Sequence, residues 1–141
     1  LLFLVDEDTR AFNKIMGAFG LPKKSREEIM ARKSAIEEAS KYAIQVPYRV
    51  MQKALEIMDI LKAMAETGLP ASVSDVGVGA LCACTAVRGA FLNVRINAAG
   101  LEDRNFAEKM ILDGSALEQK TNELEQEILA IVDKKIMGEK K

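Results

Sequence analysis

Histidine is absent from this chain of 141 residues, and so is tryptophan. Without histidine, the chain cannot form a Ser–His or Cys–His nucleophile pair, and it lacks the commonest metal ligand. Acid–base chemistry must therefore come from Asp, Glu, Lys, Arg or Tyr side chains. Aromatic residues make up only 5% of the chain, which argues against a platform for stacking nucleic-acid bases.

Cysteine is also scarce, and the net charge of the chain is close to zero. The two cysteines, Cys82 and Cys84, lie two positions apart, so on a helix they point to different sides and form neither a CxxC motif nor a metal pair. This usage is typical of a reducing compartment, and we expect a cytoplasmic protein without a metal site. The chain has 20 Lys and Arg residues and 21 Asp and Glu residues, which gives a net charge of -1. This balance does not indicate the basic surface that nucleic-acid binding needs.

The start of the chain does not have the pattern of a signal peptide. Its apolar run, Leu1–Val5, is short and leads directly into acidic residues. Because the sequence starts without Met and within a helical pattern, we expect a piece of a longer polypeptide. Residues 76–94 are apolar enough to suggest a membrane span. Polar residues within and just after them favour a buried helix and no membrane contact: Arg88, Asn93, Arg95 and Asn97.

The apolar periodicity predicts an all-α fold in one domain over residues 1–141, a bundle of about five helices around a central apolar helix. Ser25 and Glu28 form a capping box, and Pro47 is expected to end or kink the helix that starts there. The stretch Ser72-Val73-Ser74-Asp75 supplies candidate caps for the fourth predicted helix, and Asp103 is a candidate cap for the last. The predicted helices cover residues 1–19, 25–46, 47–67, 75–99 and 104–137.

The first predicted helix carries a carboxylate, Asp8, in the middle of its apolar stripe, whereas Asp6 and Glu7 point elsewhere. A carboxylate that faces a core needs partners or a proton, because burying it unpaired costs several kcal/mol. Such residues are often functional. The alternative is a solvated acid at a frayed helix start, or one bonded to a neighbouring helix. The stripe consists of Leu1, Leu4, Val5, Phe12, Ile15, Met16 and Phe19.

The fourth predicted helix is apolar almost all round, with small residues along one side. That side ends in Asn93 and Asn97, one turn apart, and Asp75 projects to roughly the same side from the N-terminus. Small residues let a flat ligand or another helix approach the backbone closely. Two amides and a carboxylate would suit a polar heterocycle, which makes these three residues candidate substrate ligands. A tight helix crossing, in which the Asn side chains satisfy buried backbone groups, explains the pattern equally well.

Four short stretches can now be read together, in their order along the chain. They are Leu4-Val5-Asp6-Glu7-Asp8-Thr9-Arg10-Ala11-Phe12, Val46-Pro47, Ser74-Asp75 and Phe91-Leu92-Asn93-Val94-Arg95-Ile96-Asn97. These stretches resemble the cyclodeaminase domain of formimidoyltransferase-cyclodeaminase and its stand-alone cyclodeaminase and cyclohydrolase relatives. The first and last stretches are the most specific, and the resemblance covers about residues 3–137.

The resemblance implies an all-helical fold that forms at least a dimer. It implies conversion of 5-formimidoyltetrahydrofolate to 5,10-methenyltetrahydrofolate with release of ammonia, a step of histidine breakdown, with Asp8 as the catalytic residue. It implies no cofactor beyond the tetrahydrofolate substrate, with or without a polyglutamate tail, and a formimidoyltransferase domain as a fused or separate partner. Family members also carry an N-terminal Pro- and Gly-rich loop before this point, so we expect the domain to lack that segment here.

Three other readings of the sequence stay open. The same residues could serve a methenyltetrahydrofolate cyclohydrolase, because both reactions pass through a tetrahedral carbon between N5 and N10. A non-catalytic helical dimerisation module would explain the long stripe of the last helix and the missing loop. It predicts no folate binding and tolerance of changes at Asp8, Asn93 and Asn97. A coiled-coil adaptor fits less well, because the fourth helix is too uniformly apolar for an extended rod.

Overall fold

The computed structural model describes residues 1–138, which form four long α-helices with short connections. The predicted all-α class is therefore confirmed for this part of the chain. A 3-10 turn, Pro70–Ser72, joins the second helix to the third. The helices are α1 (Leu2–Phe19), α2 (Arg26–Thr67), α3 (Val73–Ala99) and α4 (Arg104–Ile136).

Side-chain caps fix the starts of α2 and α4. The Ser25 hydroxyl accepts a hydrogen bond from the Glu28 backbone N–H at 3.1 Å, and the Glu28 carboxylate accepts from the Ser25 N–H, which confirms the capping box. The Asp103 carboxylate caps α4 by accepting from the Phe106 N–H at 3.1 Å. Helix α3 begins at Val73, two residues before the predicted start, and Ser72 at its N-cap makes no side-chain capping bond. Asp75 lies in the first turn of this helix.

Pro47 does not end a helix, so the prediction of five helices is wrong. Helix α2 runs for 42 residues straight through it. Because proline has no N–H, the carbonyl of Ala43, one turn earlier, loses its usual helical donor. Asn97 of α3 supplies a replacement, since its side-chain Nδ2 donates to the Ala43 oxygen at 3.0 Å. Ala43 is only 6% exposed, so this bond satisfies an acceptor that water reaches poorly.

The predicted central position of α3 is wrong, because α3 packs extensively against α2 and α4, whereas α2 packs against all three other helices. Glycine allows α4 to approach α3 closely, because a Cβ at Gly114 would lie 2.6 Å from the Phe91 ring. The segment Pro70–Ala99 is long and apolar enough to cross a membrane by length and composition alone, with a mean hydropathy of 1.4. In the bundle, 44% of its most apolar stretch is buried against protein.

Helices α2 and α4 each carry an apolar stripe that faces the interior. Their apolar residues are buried or half-buried, and those of α4 alternate with small residues where α3 crosses. These stripes therefore contribute to the core of a single chain. They comprise Met51, Leu55, Met58, Leu61 and Ala65 on α2, and Phe106, Met110, Leu117, Leu124, Ile128 and Ile131 on α4.

The buried face of α1 is not the predicted one. Helix α1 packs against α2 through Leu4, Glu7, Ala11 and Ala18, which are spaced three, four and seven residues apart. Small alanines permit a close approach, and the larger apolar side chains consequently face outward. Of the predicted stripe, the following are 52% to 65% exposed: Leu1, Val5, Phe12, Met16 and Phe19.

We predict that Asn97→Leu lowers the free energy of unfolding by about 1–3 kcal/mol, because the buried Ala43 carbonyl is left without a donor. In a Pro47→Ala background the loss should be smaller, since the new N–H at position 47 can bond to that carbonyl. Urea unfolding of the four proteins in this double-mutant cycle measures the coupling. Asn13→Leu, at an exposed position on α1, is the matched control, and an equal loss in both backgrounds would contradict the assignment.

Candidate functional site

An open cleft of about 450 Å³ lies where α1, α2 and α3 meet. Pro47 forms part of its α2 wall, and alanines on α3 keep the opposite wall shallow. This volume is within the range of ligand pockets and suits a ring system better than a long chain. The lining residues are Leu1, Leu4, Val5, Asp8, Thr9, Val46, Pro47, Val50, Ala86, Ala90 and Asn93.

The cleft walls are mainly apolar and carry three polar side chains. The Thr9 hydroxyl already donates to the Val5 carbonyl at 3.3 Å within α1. Within residues 1–138, the side chains of Asp8 and Asn93 make no hydrogen bond to other protein groups. A carboxylate and an amide in apolar surroundings are therefore available to a ligand, one from each side of the cleft.

The structure changes the environment expected for Asp8. The prediction that Asp8 faces the core is wrong, because its side chain is exposed and the adjacent Glu7 faces the interior instead. The cause is the rotation of α1, which packs through its small residues. Asp8 nevertheless lines the cleft, so it is open both to solvent and to a ligand.

Glu7 is the residue that the sequence reading missed. It is 8% exposed, it accepts a hydrogen bond from the Tyr42 hydroxyl of α2, and its other oxygen accepts from Arg10 at 2.5 Å. The bond from Tyr42, followed by that from Arg10, lowers the pKa of Glu7 below its ordinary value. The same bond raises the pKa of Tyr42. The helical spacing of Glu7 with Leu4, Ala11 and Ala18 is the sequence signal that could have identified it as a buried residue.

The structure does not bring Asp75 and Asn97 into this cleft. Asp75 is exposed in the first turn of α3, 18 residues before Asn93, which is about 27 Å along a helix axis. The two side chains of one chain therefore cannot contact the same ring. Asn97 follows Asn93 by one turn, but its amide nitrogen is engaged with the Ala43 carbonyl. The side chain of Asn97 therefore satisfies a buried backbone group, which was the alternative to its role as a substrate ligand.

Neither cysteine contributes to the cleft. Burial raises the pKa of the Cys84 thiol to about 11, and this thiol donates to Asn122 at 3.2 Å. Such a thiol is a poor nucleophile near neutral pH, because the thiolate is the reactive form. Cys82 is exposed on α3. In residues 1–138, no group of three or more His, Cys, Asp or Glu residues is arranged to hold a metal ion.

We predict that Glu7→Gln destabilises the fold at neutral pH and has less effect in acid. The pKa of Glu7 is lower in the folded chain than its ordinary value of 4.5, so its stabilising contribution is present above that value and is lost as the pH falls through the folded pKa. Urea unfolding from neutral to acidic pH tests this convergence. Asp6→Asn, an exposed neighbour, is the control, and a stability difference that does not depend on pH would contradict the role given to Glu7.

Comparison with known proteins connects this site to a family. Methenyltetrahydrofolate cyclohydrolase from Methylorubrum extorquens is 38% identical over 133 residues, which cover 94% of this chain and 64% of that protein. Formimidoyltransferase-cyclodeaminase from Gallus gallus is 33% identical over 135 residues, which cover 96% of this chain and 25% of that protein. The chain thus spans less than two thirds of the length of either relative.

A solved structure has the same helical arrangement. The crystal structure of formiminotetrahydrofolate cyclodeaminase from Thermotoga maritima matches with a TM-score of 0.79 at 25% identity, covering 92% of this chain and 61% of that one. The family model described as formiminotransferase-cyclodeaminase matches residues 1–113, including every residue that lines the cleft. The chain therefore belongs to the formiminotransferase-cyclodeaminase family.

Proposed function

We propose that this chain is a formimidoyltetrahydrofolate cyclodeaminase, which converts 5-formimidoyltetrahydrofolate to 5,10-methenyltetrahydrofolate and ammonia. The observation that carries the proposal is the cleft between α1, α2 and α3, where the Asp8 carboxylate and the Asn93 amide share apolar walls. Family membership supports the substrate class. The names of the Gallus gallus and Thermotoga maritima relatives support the reaction.

The chemistry suits a site without histidine. N10 of the folate attacks the carbon of the protonated formimidoyl group on N5, which closes a five-membered ring and gives a tetrahedral adduct. The proton on N10 must then reach the amino nitrogen, which leaves as ammonia as the C–N bond breaks and the methenyl cation forms. One carboxylate can accept the first proton and donate it to the second nitrogen, help that is worth roughly 10²–10⁴-fold in rate.

We assign that proton transfer to Asp8, because it is the carboxylate in the cleft. Asn93, on the α3 side, can donate and accept hydrogen bonds to the pterin, and the apolar walls of Val46, Pro47 and Ala90 can contact its ring faces. Ring closure joins two parts of the same molecule. Holding them at attack distance therefore supplies much of the remaining acceleration.

A second candidate is methenyltetrahydrofolate cyclohydrolase, in which water adds to the methenyl carbon and the ring opens to 10-formyltetrahydrofolate. The observation that favours it is the 38% identity to the Methylorubrum extorquens protein of that name. The same carboxylate would then take a proton from water.

A formimidoyltransferase, fused or separate, would supply the substrate of the cyclodeaminase. The name of the Gallus gallus relative, which joins the two activities, supports this partner.

We also propose that the protein dimerises through the outward face of α3. The exposed side of α3 is largely apolar, with Val78, Leu81, Leu92 and Ile96 between 46% and 73% exposed. Gly89 on the same helix faces open space, so another backbone could approach closely there. A contiguous apolar surface of this kind is typical of a protein interface, and a second copy would cover the corresponding surface of each chain.

We predict that Asp8→Asn abolishes turnover, lowering kcat by at least about 100-fold because the proton carrier is lost, while folate binding and thermal stability change little. The full-length protein is given 5-formimidoyltetrahydrofolate, and methenyltetrahydrofolate absorbance and ammonia are followed together. Asp6→Asn is the matched control, being an exposed carboxylate on the same helix that does not line the cleft.

The two candidate reactions are distinguished by giving the unaltered protein 5-formimidoyltetrahydrofolate and methenyltetrahydrofolate in separate assays. Equal amounts of both products from the unaltered protein would support the cyclodeaminase, whereas 10-formyltetrahydrofolate made from methenyltetrahydrofolate without ammonia would support the cyclohydrolase. An unaltered protein that binds no folate would favour the non-catalytic dimerisation module. Full turnover by Asp8→Asn would contradict the role given to Asp8.

We predict that Ile96→Glu converts the dimer to a monomer, because it adds a charge at the most exposed residue of the apolar face of α3. Light scattering coupled to size exclusion measures the mass of each protein. Leu112→Glu on α4 is the matched control, since Leu112 is 71% exposed and Ile96 is 73% exposed. A monomeric unaltered protein, or a dimer that survives Ile96→Glu, would contradict this interface.

A further inference from the structure

We infer that the hydrogen bond from Tyr42 on α2 to Glu7 on α1 is a positioning contact for the reaction, because it fixes the rotation of α1 and with it the place of Asp8. The inference rests on the proposed function, in which Asp8 carries the proton. It assigns a role to two residues that do not line the cleft. Glu7 and Tyr42 are therefore positioning residues and not catalytic ones.

The contact lies among several polar groups at the α1–α2 junction. The Tyr42 hydroxyl donates to Glu7 Oε2, and Arg10 Nη1 donates to Glu7 Oε1 at 2.5 Å. Lys14 Nζ lies 4.0 Å from the centroid of the Tyr42 ring, within cation–π range. Both oxygens of a carboxylate that is 8% exposed are thus engaged, and the bond from Tyr42 is the one that crosses between the helices.

The apolar part of this junction is small. Ala11 of α1 packs against Ala43 and Val46 of α2, with Ile15 and Tyr42 half-buried beside them. Alanines interlock weakly, because they offer few contacts that would resist rotation of one helix about its own axis. Leu4 is buried and Ile15 is half-buried, whereas the other large apolar side chains of α1 are exposed and add little resistance. Two side chains of α2 make directional contacts with α1: Arg32 donates to the Phe19 carbonyl at the C-terminal end of α1, and Tyr42 donates to Glu7. The bond from Tyr42 is the one beside Asp8, so it is the contact that fixes the rotation of α1 at the cleft.

Asp8 follows Glu7 directly, so any change in the rotation of α1 moves its carboxylate around the helix axis. The opposite side of the cleft belongs to α3, where Asn93 is held by the packing of α2 and α3. Loss of the bond from Tyr42 would therefore alter the position of Asp8 relative to Asn93 without altering either residue. A displacement of about 1 Å at a reacting group can lower a rate by about 100-fold.

The test is Tyr42→Phe in the full-length protein. This variant keeps the ring beneath Lys14 and removes only the hydroxyl that reaches Glu7. We expect kcat for the active folate substrate, measured well below the melting temperature of the variant, to fall by on the order of 10- to 100-fold with little change in KM. The melting temperature should also fall, because the buried Glu7 carboxylate loses one hydrogen-bond donor. Glu7→Gln keeps an oxygen that can accept from Tyr42, so it should lose less activity than Tyr42→Phe.

Tyr48→Phe is the matched control. It makes the same chemical change on the same helix, at a half-buried tyrosine whose side chain packs against the core and makes no hydrogen bond within residues 1–138. Its kcat should equal that of the unaltered protein. If the unaltered protein is active and Tyr42→Phe has the same kcat, or lowers only the melting temperature, the inference is overturned while the proposed function stands. Inactivity of the unaltered protein on both folates would instead overturn the proposed function, and this inference with it.

Discussion

The contact between α2 and α3 at Pro47 is the constraint on which the rest of the structure depends. Proline in the middle of a long helix leaves one backbone carbonyl without a donor, and in this chain that carbonyl is buried. Asn97 reaches it from the neighbouring helix, so α2 can continue unbroken only where α3 lies alongside. The crossing fixes the α3 register against α2, and α4 and α1 pack around the pair that results. One turn before Asn97, the same helix presents Asn93 to the cleft.

Much of the fold could be predicted from local signals. The capping box at Ser25, the cap at Asp103 and the apolar stripes of α2 and α4 are all present where expected, because each depends on residues within a few turns. The boundary at Pro47 could not be predicted in this way. Helix α2 continues through Pro47 because the side-chain amide of Asn97, 50 positions later in the chain, supplies the missing hydrogen-bond donor. No local pattern reveals which distant side chain will do so.

The candidate site could be predicted only in part, both in its residues and in its geometry. Asp8 and Asn93 line one cleft, whereas Asp75 and Asn97 lie outside it. The error on α1 has a physical cause. Periodicity identifies the side with the largest apolar residues, but the side that packs is the one whose alanines allow the closest approach, and it tolerates Glu7 because Tyr42 and Arg10 engage both carboxylate oxygens. The Glu7 carboxylate, which faces inward, contributes to the packing of α1, and the adjacent Asp8 carboxylate is open to a ligand.

The packing of α1 also has a consequence for local unfolding. Helices α2, α3 and α4 all pack against one another, whereas α1 packs extensively against α2 alone. A helix with one partner and a small apolar contact can detach while the other three stay folded, so it forms a separate cooperative unit of lower stability. The free energy of that opening, and not the global free energy of unfolding, then sets how often Asp8 leaves the cleft. Substitutions in the large core between α2, α3 and α4 could change the global value greatly without changing that frequency.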